Sequence, residues 1–250
     1  MSISRCPVRV LLPVLLLAPG CMKETALPPT TFNTGELRLA FDLRYGLQPL
    51  ERHQRYPYGD GHGVHFTMAK VMLSDFRVAD THGRLLGEFK GAPMLLSIDG
   101  PEQVVLGTLP AVALGGLSFR AGLNDSLDRL PATPGAWPLD QEDMLVAGDH
   151  AQGRYVLRLE GFVDLDGDGV FTAGADTAFA YTPHAIPLPT WCAVAPVAPE
   201  VLRPGGSVVR SLVLDVKLLL LGVDILDHPV ADGADSVALQ LERNLSIAFR

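Results

Sequence analysis

The sequence predicts an all-β protein, an antiparallel β-sandwich with one or two short helices. Residues 36–45 and 153–163 alternate between apolar and polar side chains, as strands with one buried face do. Short apolar runs recur along the chain, and 25 glycines and 20 prolines supply the turns between them. Many short strands separated by such turns are typical of sandwiches and barrels.

The first predicted strand, residues 36–45, is followed by a long polar loop, residues 46–63. A second extended segment, residues 64–78, loses its alternation near Ala69–Val71, which indicates a bulge. Seven further strands are predicted at 85–89, 94–98, 103–109, 116–123, 153–163, 178–182 and 207–216. Three segments remain: 124–129 and 215–221 favour short helices, whereas 235–249 fits a helix and a strand equally well.

The first 20 residues predict an export signal. Arg5 and Arg9 supply a positive charge ahead of an apolar stretch, Val10–Leu17, which is too short to span a bilayer. The segment Leu17–Cys21 resembles the processing site of bacterial lipoproteins, in which the cysteine is acylated. We therefore expect a lipid anchor on Cys21 that holds the protein on the periplasmic or surface side of the bacterial cell envelope. A soluble secreted protein that carries Cys21 is the alternative.

The rest of the chain predicts a Thr/Pro-rich tether, residues 21–34, and a single domain, residues 35–250. Apolar residues make up 48% of the chain and charged residues 19%, so a sizeable core is feasible. Once the signal and the lipidated cysteine are set aside, Cys192 stands alone and no internal disulfide is expected. Its proline-rich surroundings predict a buried, inert cysteine in a loop.

Charge and motifs exclude several classes of function. The formal net charge is −8, and loss of Arg5 and Arg9 with the signal takes it to −10. Because no cluster of Lys and Arg occurs, we expect no nucleic-acid partner. The sequence has no nucleophile elbow, zinc-protease motif or phosphate-binding glycine loop, so we do not expect an enzyme, and a secreted hydrolase is the most remote alternative.

An acidic loop is the sharpest local motif. Asp164, Asp166 and Asp168 alternate with other residues, so their carboxylates can converge on one hard cation, and Gly169 permits the tight turn. Val170 would add its backbone carbonyl, and Asp176 is the nearest acid that could close the loop. This pattern predicts a structural calcium site, with a solvated acidic hairpin as the alternative.

Other side chains are candidate ligands for a softer metal. His62 and His65 lie at the junction of the polar loop and the second strand, and Met144 precedes His150 by six residues. Imidazole suits copper and zinc, and a thioether favours copper(I). Each of these residues also has an ordinary role, as a solvated histidine or a core methionine.

The order of several motifs resembles the MbnP-like family, the methanobactin-associated periplasmic copper-binding proteins and their lipoprotein relatives. The segments that carry the resemblance, which spans residues 35–250, are GELRLAFDL, YPYGDGHG, SDFRV, LSFRAGLN, DM, GRYVLRLEG and DVKLL. It implies an all-β extracytoplasmic domain, a role in copper handling and a dihaem peroxidase-like redox partner. Family members carry tryptophans between the Met and Gly-Tyr of the central motif, whereas this chain has His150 and no Trp in that interval.

These observations predict a lipid-anchored metal-binding module that handles copper, with His62, His65, Met144 and His150 as candidate ligands, and carries a structural calcium. The alternative is a structural or adhesive surface lipoprotein whose only metal is calcium.

Overall fold

The computed structural model describes residues 33–59, 61–100, 103–184, 190–196, 198, 200–233 and 235–250. The predicted signal, the lipidation site Cys21 and most of the predicted tether lie outside the described residues. Residues Phe32–Arg250 form one compact unit. Within the described residues, no helix has the length and apolar character needed to cross a membrane.

Strands make up most of the regular structure, and several coincide with the predicted segments. In chain order they are β1 (Thr34–Tyr45), β2 (Gln48–Pro49), β3 (Arg55–Tyr58), β4 (His62–Asp80), β5 (Leu85–Phe89), β6 (Met94–Ser97), β7 (Gln103–Pro110), β8 (Ala113–Ala121), β9 (Leu157–Asp164), β10 (Thr177–Pro183), β11 (Thr190–Val194), β12 (Glu200–Val201), β13 (Ser207–Asp215) and β14 (Val230–Gly233). Cys192 lies in β11 and is buried, so the predicted loop position is wrong.

Three α-helices occur in the described chain, one more than expected: α1 (Asp125–Asp128), α2 (Val216–Leu219) and α3 (Ser236–Ala248). The third resolves the ambiguity of the C-terminal segment, because Asp235 caps it and Leu241 and Leu245 point into the core. Three short 3₁₀ turns lie between residues 142 and 152.

The strands form two sheets, which confirms the all-β fold. In the small sheet β1 lies between β13 and β7, with β2 on its C-terminal end. The large sheet has the order β11-β8-β4-β9-β10-β14, with β12 on β8 and with β3, β5 and β6 along β4.

The sheets are mixed rather than wholly antiparallel. Strand β1 pairs in parallel with β13, and β10 pairs in parallel with β14. Apolar-polar alternation has the same period in both arrangements, so it carries no information on strand direction. A register shift in β4 lies between Phe66 and Met68, a few residues before the predicted bulge.

The main core fills the space between the two sheets, where Leu37 and Leu39 of β1 and Phe66 and Phe76 of β4 are fully buried. A second apolar cluster lies on the opposite face of β4, under the long connection between β8 and β9. We call this second face of the large sheet the outer face. The candidate metal centre lies on this outer face, near the N-terminal end of β4.

Candidate metal centre

The paired ends of β4 and β9 bring the acidic loop to the outer face of the large sheet. Gly63 of β4 lies opposite Asp164, the last residue of β9, and His65 lies opposite Phe162. Arg55 of β3 lies opposite His65 on the other side of β4. Because paired residues share a face of a sheet, Arg55, His65 and Asp164 are neighbours although they are far apart in sequence.

The acidic loop gathers three carboxylates. Oxygen atoms of Asp164, Asp166 and Asp168 all lie within 4.8 Å of one another. Asp164 is fully buried, whereas Asp166 and Asp168 are exposed. This is the only such group of histidine, cysteine and acidic side chains in the described part of the chain.

Backbone N–H groups fold the loop around these carboxylates. Asp164 accepts hydrogen bonds from the backbone N–H of Gly167 at 2.6 Å and of Gly169 at 3.2 Å. Asp166 accepts from the N–H of Asp168, and Asp168 accepts from that of Val170. Both glycines adopt positive φ, +82° and +77°, which a side chain would strain. The Asp-Gly-Asp-Gly sequence therefore suits this turn.

Asp164 stays ionised although it is buried. Desolvation, the largest influence, raises its pKa, but the N–H groups of Gly167 and Gly169 and the guanidinium of Arg55 lower it, and the net pKa falls below its usual range. The Nε of Arg55 lies 3.4 Å from Asp164 Oδ2. The loop thus holds a full negative charge at its buried end.

His65 faces the same carboxylate from below the loop. Its side chain is only 3% exposed, and its ring stacks on Phe162 with centroids 4.6 Å apart. The Nδ1 atom lies 2.9 Å from the carbonyl oxygen of His53. The Nε2 atom has no hydrogen-bond partner among the described residues and lies 3.7 Å from Asp164 Oδ2.

Asp176 braces the loop. One of its carboxylate oxygens accepts from the backbone N–H of Leu165 at 2.9 Å, and the other accepts from that of Thr172 at 2.7 Å. Asp176 therefore ties the two arms of the loop together and does not join the group of three converging carboxylates. Val170 is 64% exposed beside this group.

The four candidate copper ligands lie in separate places. His62 and His65 are three residues apart in one strand and so lie on opposite faces. His62 borders a surface cavity of about 570 Å³, together with Tyr58 and Asp224. His150 is half exposed in a 3₁₀ turn.

Met144 is fully buried in the second apolar cluster, together with Met72 of β4. Met72 lies seven positions after His65 in the same extended strand, a distance of roughly 20 Å. The structure therefore does not bring Met144 into reach of His65. Copper binding stays a prediction.

Comparisons with known proteins add evidence on the fold. No family model matches the chain, and no curated protein matches its sequence. Among solved structures, MbnP from Methylosinus trichosporium is similar, with 15% identity, 82% of each chain covered and a TM-score of 0.50. The chain has an MbnP-like fold. At this identity the likeness concerns the fold alone, and it agrees with the resemblance in the sequence.

The sequence did not indicate Arg55 or His53 as members of this site. Arg55 reaches Asp164 because Gly63, which lies diagonally across from it on β4, has no side chain, and a Cβ there would collide with the guanidinium. His53 contributes only a backbone carbonyl. Neither residue carries a local signal, since both depend on which strands pair with β4.

Proposed function

We propose that this protein is an extracytoplasmic metal-binding module whose acidic loop binds calcium. The observation that carries the proposal is the convergence of Asp164, Asp166 and Asp168, with oxygens of all three within 4.8 Å of one another. Calcium takes six to eight oxygen ligands from carboxylates, carbonyls and water. The carbonyl of Val170 and water would complete the set.

Charge supports a divalent ion at this place. Three carboxylates at such short range repel one another, and Arg55 supplies a single positive charge at the buried end only. Asp166 and Asp168 form no ion pair among the described residues. A calcium ion would offset their repulsion and hold the loop in the shape that its backbone hydrogen bonds already favour.

The role proposed for calcium is structural. Extracellular calcium modules bind with dissociation constants of about 0.1–1 mM. At 10 mM calcium such an affinity stabilises the folded state by about 1.4–2.7 kcal/mol. For a domain of this size we expect the melting temperature to be about 3–10 °C higher in 10 mM calcium than in EGTA.

Thermal unfolding of the full chain, followed by circular dichroism, tests this expectation. Asp168→Asn should remove most of the calcium response, because it takes one exposed carboxylate from the group. Asp227→Asn is the matched control, since Asp227 is an exposed aspartate whose side chain forms no hydrogen bond among the described residues. Equal melting temperatures of the unaltered protein in calcium and in EGTA would contradict the proposal.

Copper handling is the second candidate, and the MbnP-like fold favours it. Metal analysis of protein purified without chelator, alongside His150→Ala, distinguishes the two. Near-stoichiometric copper that is lost in the variant supports copper handling, and calcium alone supports the structural module. The separation of Met144, His62 and His65 favours calcium as the metal of this chain.

The proposed setting is the cell envelope, with a lipid anchor on Cys21 and a dihaem peroxidase-like protein as the redox partner if copper is handled. Both follow from sequence resemblance. Labelling with a radioactive fatty acid tests the anchor, because Cys21→Ser should abolish incorporation.

A further inference from the structure

His65 is a buried ligand-type side chain without a partner. Its Nδ1 lies 2.9 Å from the carbonyl of His53, which only accepts hydrogen bonds, so Nδ1 carries the hydrogen. In the neutral ring Nε2 then presents a lone pair. That atom has no hydrogen-bond partner among the described residues, and the nearby Asp164 carboxylate is also an acceptor.

A cation between the two groups would satisfy both acceptors, whereas Arg55 and the N–H of Gly169 reach only Asp164 Oδ2 and leave His65 Nε2 without a partner among the described residues. The separation of 3.7 Å between His65 Nε2 and Asp164 Oδ2 is longer than a direct hydrogen bond. A metal ion with bonds of about 2.0–2.2 Å to nitrogen and oxygen would span it with an angle of roughly 125° at the metal. Water and a third oxygen donor can complete such a site.

We infer that His65 and Asp164 form a nitrogen-carboxylate pair that binds a divalent transition ion, with zinc as its probe, at the buried end of the acidic loop. The inference rests on the proposed function only in that Asp164 belongs to both sites. Calcium prefers oxygen donors alone, whereas zinc accepts imidazole nitrogen and carboxylate oxygen together. Zinc binding at this loop should therefore depend on His65, whereas calcium binding should not.

Arg55 is the competitor for this pair. Its Nε lies 3.4 Å from Asp164 Oδ2, but its side chain is 45% exposed and can move into solvent when an ion enters. Removal of its charge should therefore strengthen zinc binding. Arg55→Gln is expected to lower the zinc dissociation constant, since the repulsion between guanidinium and ion disappears.

Zinc titration calorimetry of the full chain tests the inference with two complementary variants. His65→Phe keeps an aromatic ring on Phe162, and His65→Asn keeps a donor for the His53 carbonyl; both remove the Nε2 ligand. We expect each to raise the zinc dissociation constant on the order of 10–100-fold. Calcium binding should persist in the same variants. Its persistence would show that the loop still folds. Asp227→Asn is again the control.

Nitrogen-15 NMR of labelled histidines provides a direct readout, because the Nε2 resonance of His65 should shift on addition of zinc. Absent zinc binding, or unchanged zinc affinity in both His65 variants, would overturn the inference and leave the calcium proposal intact. Zinc binding that depends on His65 in a protein that does not bind calcium would support the inference and reject the proposed function.

Discussion

The reactivity of Cys192 depends more on its burial in the fold than on the residues next to it in the sequence. The thiol lies in β11 among residues of the main core, and desolvation raises its pKa to about 12. Because the thiolate is the reactive form, a thiol with so high a pKa is almost wholly protonated at neutral pH. The sequence predicted the burial of Cys192 correctly but placed the residue in a loop, and its inertness stays a prediction.

We therefore expect Cys192 to react very slowly with iodoacetamide at pH 8 in the folded protein and rapidly in denaturant. Mass spectrometry of the peptide that carries Cys192 measures the rate. Ala193→Cys is the matched control, because position 193 is exposed in the same strand and a thiol there should react quickly. Equal rates at the two positions would contradict the burial argument.

His65 and Asp164 show what single residues can and cannot indicate. Both were candidate ligands in the sequence, but for different metals. Their proximity depends on the pairing of β4 with β9, which brings Phe162 opposite His65 and Gly63 opposite Asp164. Residue type predicts the ligand chemistry, and strand pairing decides which ligands meet.

Among the elements, helix α3 has two buried polar residues, Glu242 and Asn244, and Asn244 connects it to α2. The side-chain amide of Asn244 donates to the carbonyls of Leu219 and Leu221, both at 2.8 Å. These carbonyls lie at the C-terminal end of α2, where helical partners are missing. Asn244 thus joins the two helices by donating to carbonyls that have no other hydrogen-bond partner among the described residues.

We expect Asn244→Ala to destabilise the protein by about 1–3 kcal/mol, since it leaves these carbonyls unpaired. The melting temperature should fall by about 3–10 °C. Arg243→Ala, at an exposed position of the same helix, should change it little. A similar fall in both variants would contradict the role of the two hydrogen bonds, since alanine favours the helix at both positions.

Strand positions were the best predicted feature at this scale. The predicted segment 85–89 is β5, and residues 207–216 include all of β13. Alternation and turn residues are local signals, so they survive in the sequence. The segment 235–249 was ambiguous because its apolar residues fit both periods, and packing of Leu241 and Leu245 against the core decided for a helix.

At the scale of the whole molecule, the C-terminal residues connect the two sheets. Phe249 forms an isolated antiparallel bridge with Leu214 of the small sheet, and its ring packs edge-on against Phe119 of the large sheet at a centroid distance of 4.9 Å. Backbone hydrogen bonds between Val213 and Arg250 extend the bridge. The side chain of Arg250 also pairs with buried Asp215.

Phe249→Ala should therefore be among the more damaging core substitutions. Loss of a buried phenylalanine costs about 3–5 kcal/mol, which corresponds to a fall in melting temperature of roughly 6–20 °C. Ile247→Ala is the control, because Ile247 is half exposed two residues earlier. If both variants have the melting temperature of the unaltered protein, the contacts of Phe249 between the two sheets do not contribute to stability.

The sequence by itself determined the all-β class, most strand positions and the acidic loop, because alternation, turn glycines and alternate aspartates are local patterns. Only the tertiary structure decided the parallel pairing of β1 with β13 and of β10 with β14. It also buried Met144 in an apolar cluster and set His65 beside Asp164. The physical reason is that pairing and burial depend on contacts between distant segments, which no local period encodes.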